Sequence, residues 1–453
     1  MKKGKQVGNL IALTSMSLML LAGCSAKTAT TESPKESSTS ATAAASTAPA
    51  KEEKVELTMA EWGTADQVKD TQTILNVFMQ KNPNIKVNLV YKDWGSYWTW
   101  ITTQAASKDL PDVYKMSFAY VDKYAKLGAM KPLDDLIKST NFNLGDFEQP
   151  LLDMHKSGGK QVSLPRDANT VVMYYNKDIF DKAKLKYPDK EMTWDQVVEL
   201  AKKLTVDEKG NTAADAAFDS GHVKQWGILA DPAGMADAVL EPQLWSNGAR
   251  MVDDSNKLAL ETPEAKQVLQ FFQDLTTKQH VNPPASVVAG MGGNQILAFG
   301  TGKIAMAFAG SWSAVDIKAA NVKFDSFLPP KFKEVKTVVQ PAGYALSPNS
   351  KKEKAAWTLL SWLTGPEGQI EMAKLGNAIP ANKKAGDTYL KFDQGFDKKI
   401  FLEAQSKAIP APWYEGKDRL LWEYIPQKLQ LPLQGKGNVD AAIKEITGLM
   451  NNK

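Results

Sequence analysis

The sequence is poor in the residues that most often do chemistry. One cysteine, Cys24, and three histidines occur in 453 residues, so there is no second thiol for a disulfide or a thiolate metal site. His155, His222 and His280 are scattered and form no HExxH pair, which removes the zinc-hydrolase pattern. Each reads as a surface or capping residue. No GxSxG elbow is present. The Gly-rich "GGNQILAFGTGKIAM" is not a phosphate loop, because Leu297 stands five positions before Gly302 and Ile304 follows Lys303 where Ser or Thr is needed. No cofactor is expected. The longest apolar stretch, Leu10 to Leu21, is too short to span a membrane as a stable helix. Excess charge is missing as well: without Lys2, Lys3 and Lys5, the 55 basic residues fall to 52 against 51 acidic ones. A basic nucleic-acid footprint is therefore not expected.

What is present begins at the N-terminus. Three lysines followed by the short apolar stretch have the shape of a secretory signal, residues 1–23. It ends in "LLAGCS", where Leu21, Ala22, Gly23 and Cys24 resemble the lipobox of bacterial lipoproteins, in which the cysteine thiol receives the lipid. Two acyl chains suffice for stable attachment, so the body is expected outside the cytoplasm, tethered to the membrane. Residues 25–54 contain no large aliphatic or aromatic residue and cannot offset ordering entropy by burial. Together with Cys24 they read as a flexible linker, suited to crossing a Gram-positive cell wall.

The body, at this length, is expected to hold more than one domain. Residues 55–62, "VELTMAEW", alternate as a half-buried strand does. A helical stretch through Ile74, Leu75, Phe78 and Met79 stops near "NPN", and "IKVNLV" is the next strand. This is a βαβ unit and points to an α/β fold with parallel strands. Further on, "TWDQ" and "SKKE" offer capping boxes on Thr193 and Ser350. Pro263 opens a helix with Val268, Phe271, Phe272 and Leu275 on one face. The stretch "NTVVMYYNKDIF" reads as a core strand in which Tyr175 and Asn176 end the strand and set the turn into a helix. Extended segments near 164–170 and 333–342 join two α/β regions.

The tryptophans are distributed unusually. Of twelve, Trp62, Trp94, Trp245, Trp312 and Trp413 fall at the ends of strands or helices or beside turn residues rather than on core stripes. Sugars present C–H faces that pack on aromatic planes and hydroxyl rims that need polar partners. The set therefore suggests a carbohydrate cleft. Two other functions remain open at this point: a lipid-anchored glycan hydrolase, which would need a placed pair among the 51 acids, and a surface adhesin or sensor without transport.

Five motifs in a fixed order resemble extracellular solute-binding proteins of family 1, the relatives of maltose-binding protein that serve ABC importers. They are "LPDVYKMSFAYVDKYAKLGAMKPLDDLI", "LPRDANTVVMYYNKDIF", "MTWDQVVELAKKLT", "FGTGKIAMAFAGSW" and "GYALSPNSKKEKAAWTLLSWLTGPEGQ", and the resemblance covers about residues 55–450. It implies a periplasmic-binding-protein type II fold with two lobes, crossed by three chain segments, and ligand held between them. The first lobe would hold 55–166 and 342–392, and the second 168–338 and 393–450. It also implies a monomeric receptor that is not an enzyme, with a membrane permease and a separate ATPase as partners.

The resemblance further implies a ligand site, carried over position by position. Arg166, Asp167 and Asn169 would sit at the cleft floor, and Trp312 of "GSW" matches a sugar-stacking indole. Glu241 and Gln243 of "EPQLWSNG" match sugar-contacting positions. Trp422 matches either another stacking indole or a helix-packing residue. Ser117 and Tyr120 fall where the maltose-binding branch uses an Asp and a nearby Arg, a departure from that branch. Trp62, Trp94 and Trp245 complete the candidate set on the bottom-up reading.

Overall fold

The computed structural model describes residues 54–451 apart from 293–294, 377, 392–394 and 413. The signal segment, Cys24, the linker up to residue 53 and Trp413 lie outside the described residues.

The first elements in chain order are β1 (Val55–Trp62), α1 (Ala65–Lys81), β2 (Ile85–Lys92), α2 (Trp94–Ser107), β3 (Val113–Ser117), α3 (Val121–Lys126) and β4 (Leu164–Pro165). Then come β5 (Val171–Asn176), α4 (Lys177–Ala183), α5 (Trp194–Leu204), α6 (Glu241–Ser246), α7 (Pro263–Thr277), β6 (Met306–Gly310) and α8 (Ala314–Ala319). The later ones used below are β7 (Phe324–Phe327), β8 (Thr337–Val339), β9 (Ala342–Leu346), α9 (Glu353–Thr364), α10 (Pro366–Leu375) and β10 (Ala408–Pro410).

Two sheets define two lobes. The first runs β2-β1-β3-β9-β4, with β1 parallel to β2 and β3, and β9 antiparallel to its neighbours. Strand periodicity sends Leu57 and Met59 of β1 to one face, where they pack with Ile74, Phe78 and the α9 residues Leu359 and Leu360. Ala60 points to the other face, into a cluster with Tyr97 and Ile101 of α2. Helices thus cover both faces of a largely parallel sheet, as the βαβ spacing predicts. Trp62 falls on the α2 side, where β1 ends.

The second sheet is β6-β5-β7, antiparallel throughout. Val171, Met173 and Tyr175 of β5 enter one core, and Val172 and Tyr174 enter the other. Asn176 caps α4, its Oδ1 accepting from the Ile179 N–H at 3.2 Å. The amide after the core strand is therefore a helix start.

The lobes are joined where Asp167 bridges to Pro380 and Thr170 to Val339, and where the Arg166 N–H donates to the Ala342 carbonyl at 2.7 Å. Three segments lie side by side there.

The capping box on Thr193 and the Pro263 start of α7 form as expected. Ser350 does not cap its helix. Its hydroxyl donates to Asp112 Oδ1 at 2.7 Å, and α9 begins at Glu353 without a side-chain cap. The same oxygen accepts from the Lys352 N–H at 3.1 Å, so Ser350 turns the chain just before the helix while Asp112, ahead of β3, takes its proton. His155 is likewise not a surface residue: it is fully buried, with Nδ1 2.7 Å from Ser163 Oγ, and burial lowers its pKa to about 3. Among the described residues no helix is long and apolar enough to cross a membrane.

Candidate functional site in the interlobe cleft

Strand and helix ends of the first lobe gather a group of aromatic rings. Trp62 closes β1, and Trp94 and Trp98 stand one turn apart at the start of α2, where Asp93 caps the helix through the Ser96 N–H at 3.0 Å. Ring centroids of Trp62 lie 5.1 Å from Trp94, 5.3 Å from Tyr97 and 5.4 Å from Trp98. Tyr120, which precedes α3, lies 4.2 Å from Trp98. The Lys115 ammonium sits 4.5 Å over the Trp62 ring.

Trp422 reaches this group from the second lobe. Its ring is 5.9 Å from Trp94 and 6.5 Å from Tyr120, stacked on the latter at 29°. The indole N–H groups of Trp98 and Trp422 are buried and have no hydrogen-bond partner among the described residues. Three polar contacts also cross the cleft. Asp316 accepts from Thr64 Oγ1 at 2.8 Å and Gln67 Nε2 at 3.1 Å, and Lys123 pairs with Asp418 at 3.2 Å.

Opposite Tyr120 and Phe118 the second lobe places buried charge. Asp237 accepts from Gln340 Nε2 at 2.5 Å, and Lys417 lies 5.3 Å over the Phe118 ring while donating to the Pro412 carbonyl at 2.6 Å. Burial raises the Asp237 carboxyl to about 6 and the Glu241 carboxyl to about 7; Lys417 opposes both shifts, and Asp237 adds to that of Glu241. Burial also lowers Lys417 from its ordinary value. Glu241 Oε2 and the Tyr414 hydroxyl lack partners among the described residues.

These shifts set a pH dependence. Both carboxyls hold their proton more tightly folded than unfolded, so their contribution to stability is greatest below the unfolded values, near 4 to 4.5, and falls as pH rises toward about 7. Urea midpoints measured from pH 5 to 8 should decline, and Glu241→Gln should flatten the decline. An unchanged slope in that variant would remove Glu241 as its source.

Beneath the rings, two ion pairs are buried side by side. Glu61 Oε1 accepts from Lys115 Nζ at 3.0 Å and from Thr71 Oγ1 at 3.1 Å. Arg166 donates to Asp167 at 2.8 Å and to Tyr344 Oη at 3.0 Å, and Asp167 accepts from the Ala342 N–H at 2.8 Å. Asn169 Oδ1 accepts from Ser311 Oγ at 2.9 Å and from the Ile379 N–H at 3.2 Å. Arg166, Asp167 and Asn169 thus fasten the three connecting segments to one another.

The structure brings Trp62, Trp94, Tyr120 and Trp422 together. Ser117, buried, caps the turn before Tyr120, its Oγ accepting from the Ala119 N–H at 3.4 Å. Trp312 lies outside the ring stack, in the turn between β6 and α8; its ring covers Gly310, where any Cβ would collide with it. Gln243 sits inside the second lobe, its Oε1 accepting from the Trp194 indole at 2.8 Å. Glu241 and Trp245 line a cavity of about 590 Å³ in the second lobe. A second cavity, of about 550 Å³, lies between the lobes around Phe118, Tyr414 and Lys417. Neither opens among the Trp62 and Trp94 rings, which are in contact with one another.

Sequence reasoning missed Trp98, Asp237, Gln340, Tyr414 and Lys417. Trp98 had a signal, since it follows Trp94 by four residues in a helix. The others come from segments remote in sequence, and no local pattern marks them.

Residues 73–395 match the bacterial extracellular solute-binding protein family. The chain belongs to this family. A protein of Brucella abortus named only as a binding protein is 24% identical over 409 residues, covering 86% of this chain and 91% of that one. The fold is that of a substrate-binding protein from Listeria monocytogenes solved with cycloalternan: TM-score 0.77, 24% identity, 88% of this chain and 98% of the other. A solute-binding protein from Agrobacterium vitis solved with D-mannitol aligns at TM-score 0.69 and 25% identity, over 87% and 97% of the two chains. The two-lobed α/β fold expected from the sequence is the one present, in a family of binding proteins rather than enzymes.

Proposed function

We propose that this protein is the lipid-anchored, extracytoplasmic substrate-binding component of an ABC importer, and that it captures a mono- or oligosaccharide between its lobes. The observation that carries the reading is the meeting of Trp94 and Tyr120 with Trp422 across the cleft, beside buried Asp237, Glu241 and Lys417. Rings of both lobes offer planes for C–H faces, and the unpartnered indole N–H and carboxylate oxygens suit hydroxyls that donate and accept. The mannitol-bound relative supports a polyhydroxylated ligand.

In this reading the lobes are residues 55–166 with 342–392 and 168–338 with 393–450. Contacts made by both are complete only when the lobes close, so ligand shifts the population toward closure. A membrane permease recognises the closed form, and a separate ATPase supplies the energy. Trp94 and Tyr120 of one lobe touch Trp422 of the other and separate to admit the ligand, which then stacks on these rings beside Trp62 and Trp312 and makes polar contacts with Glu241 and its neighbours.

The test is a thermal-shift screen of the detergent-solubilised full-length protein against sugars, polyols, amino acids and short peptides. A ligand that binds only the folded state raises the melting temperature by mass action. A concentration-dependent rise with one sugar class is expected; a rise with peptides or amino acids alone would overturn the carbohydrate assignment. The anchor is tested separately. Cys24→Ala should move the protein from the membrane to the soluble fraction, and a variant that stayed with lipid would contradict it.

A further inference from the structure

Charge is unevenly spread around the second-lobe cavity of about 590 Å³. Glu241, Asp253, Asp254 and Glu415 line it, and Arg250 is the only cation among its described lining residues. Arg250 is itself paired with Asp254, and Asp253 Oδ1 holds its own turn by accepting from the Ser255 and Lys257 N–H groups at 2.8 and 2.9 Å. An exposed acidic rim of this kind is well solvated and makes no site by itself. The inner end is different. Glu241 is 1% exposed, and its Oε2 has no hydrogen-bond partner among the described residues. The Tyr414 hydroxyl, in the same lining, is buried and equally without one. Buried polar atoms in this condition are rare in native proteins and call for a missing partner.

No cation of the protein takes that place among the described residues. Lys417 acts on Glu241 through its field, but its ammonium donates to the Pro412 carbonyl at 2.6 Å and lies 5.3 and 5.5 Å over the Phe118 and Tyr414 rings. Asp237 is buried as well, within the field of Glu241, and meets the neutral amide of Gln340. Two buried carboxyls therefore share one buried ammonium that is ion-paired with neither. An unpaired buried carboxylate is costly, and burial accordingly raises Glu241 to about 7, a shift that Lys417 opposes and Asp237 adds to. A second cation beside Glu241 would remove the imbalance.

The surroundings say which kind of cation. Among the described residues no group of three His, Cys, Asp or Glu side chains could hold a metal ion, so these acids are too far apart for one. The cavity lies within the ~300–1,000 Å³ span of small-molecule sites, which suits an organic cation. Trp245 and Tyr414 line it with the aromatic rings that favour such cations. Glu241 Oε2 and the Tyr414 oxygen both accept hydrogen bonds, so the cation that satisfies them carries N–H donors. We propose that this cavity binds a protonated amine, seated between Glu241 and the Tyr414 hydroxyl with its carbon frame against Trp245. The amine belongs either to the captured sugar or to a separate molecule, and the chemistry at Glu241 is the same. The inference goes beyond the carbohydrate reading and does not rest on it.

The experiment is isothermal titration of the full-length protein in detergent with matched pairs of probes. They are glucose with glucosamine, galactose with galactosamine, mannose with mannosamine, and 1,4-butanediol with putrescine; tetramethylammonium is the cation without an N–H. An amine should bind at least about tenfold more tightly than its neutral counterpart, the gain of one hydrogen bond to a charged group. An amino sugar giving this result places the amine on the sugar, and putrescine giving it makes the amine a separate molecule. Glu241→Gln keeps the shape of the side chain and removes its charge, and should bring the ratio of amine to neutral affinity close to one. Tyr414→Phe keeps the ring and should lower the same ratio by a smaller factor. No amine preference in any pair would overturn the inference, and so would tetramethylammonium binding as tightly as putrescine. An unchanged ratio in both folded variants would overturn it as well. Neutral sugars that bind without an amine preference leave the carbohydrate reading standing alone, whereas putrescine binding in the absence of any sugar binding would support the amine site and overturn that reading.

Discussion

Asp167→Ala is expected to lower the unfolding free energy by about 3–5 kcal/mol, the range for removing one partner of a buried ion pair. The aspartate is 1% exposed and serves two masters in structural terms: one oxygen accepts from Arg166 and the other from the Ala342 N–H of β9. Its loss strands the Arg166 guanidinium, which is 7% exposed and would keep only Tyr344 Oη. It also leaves the buried Ala342 N–H of β9 without its acceptor, although the Ala342 carbonyl still accepts from the Arg166 N–H at 2.7 Å. Burial raises the Asp167 carboxyl above its ordinary value, and Arg166 only partly offsets this. Charge burial therefore costs the fold something even in the intact pair. The double replacement Arg166→Met with Asp167→Leu should accordingly lose far less than the single one. Urea unfolding of both variants checks this, and equal losses would show that the pair acts by packing alone.

The same site shows how far the sequence reaches. Trp62 and Trp94 could be singled out because an indole at the end of a strand or helix breaks the core pattern, Trp422 only through the family resemblance, and the structure brings those three rings into one group. The stripe of α7 foretold which face would be buried, since it follows from backbone periodicity alone, whereas the alternation of β1 suggested a half-buried strand and the structure buries both faces, Glu61 included. Asp237, Lys417 and Tyr414 carry no such mark. Their meaning arises from the packing of chain segments that are distant in sequence, and nothing local distinguishes them from surface residues. Ser350 makes the same point in reverse. Its local pattern is that of a helix cap, yet a tertiary partner, Asp112, takes the hydroxyl. Lone histidines are equally silent, and His155 turned out to be core. Arg166, Asp167 and Asn169 illustrate a third case: the motif located them at the lobe junction, while only the geometry shows how tightly their side chains are bound to neighbouring strands.

Trp422→Ala should weaken sugar binding by about 2–4 kcal/mol. Burying a large aromatic side chain is worth roughly 1.5–3 kcal/mol, and a ring pairing adds about 0.5–1.5. Trp422 supplies both terms, because it faces the cleft and also stacks on Tyr120 at 29° and approaches Trp94 at 5.9 Å from the opposite lobe. Those contacts exist only when the lobes are together. Truncation thus removes a surface for ligand and part of what favours closure, and the two effects can be separated. Titration calorimetry with the sugar found by the thermal-shift screen reports the sum. Small-angle scattering of the unliganded variant reports closure alone, and a larger radius than that of the parent is expected. Trp422→Phe keeps a plane but not the indole N–H, and should recover stacking and closure while leaving affinity below that of the parent. Undiminished affinity in a folded Trp422→Ala protein would place the ligand elsewhere, away from the ring that, among the described residues, ties the two lobes' aromatic surfaces together.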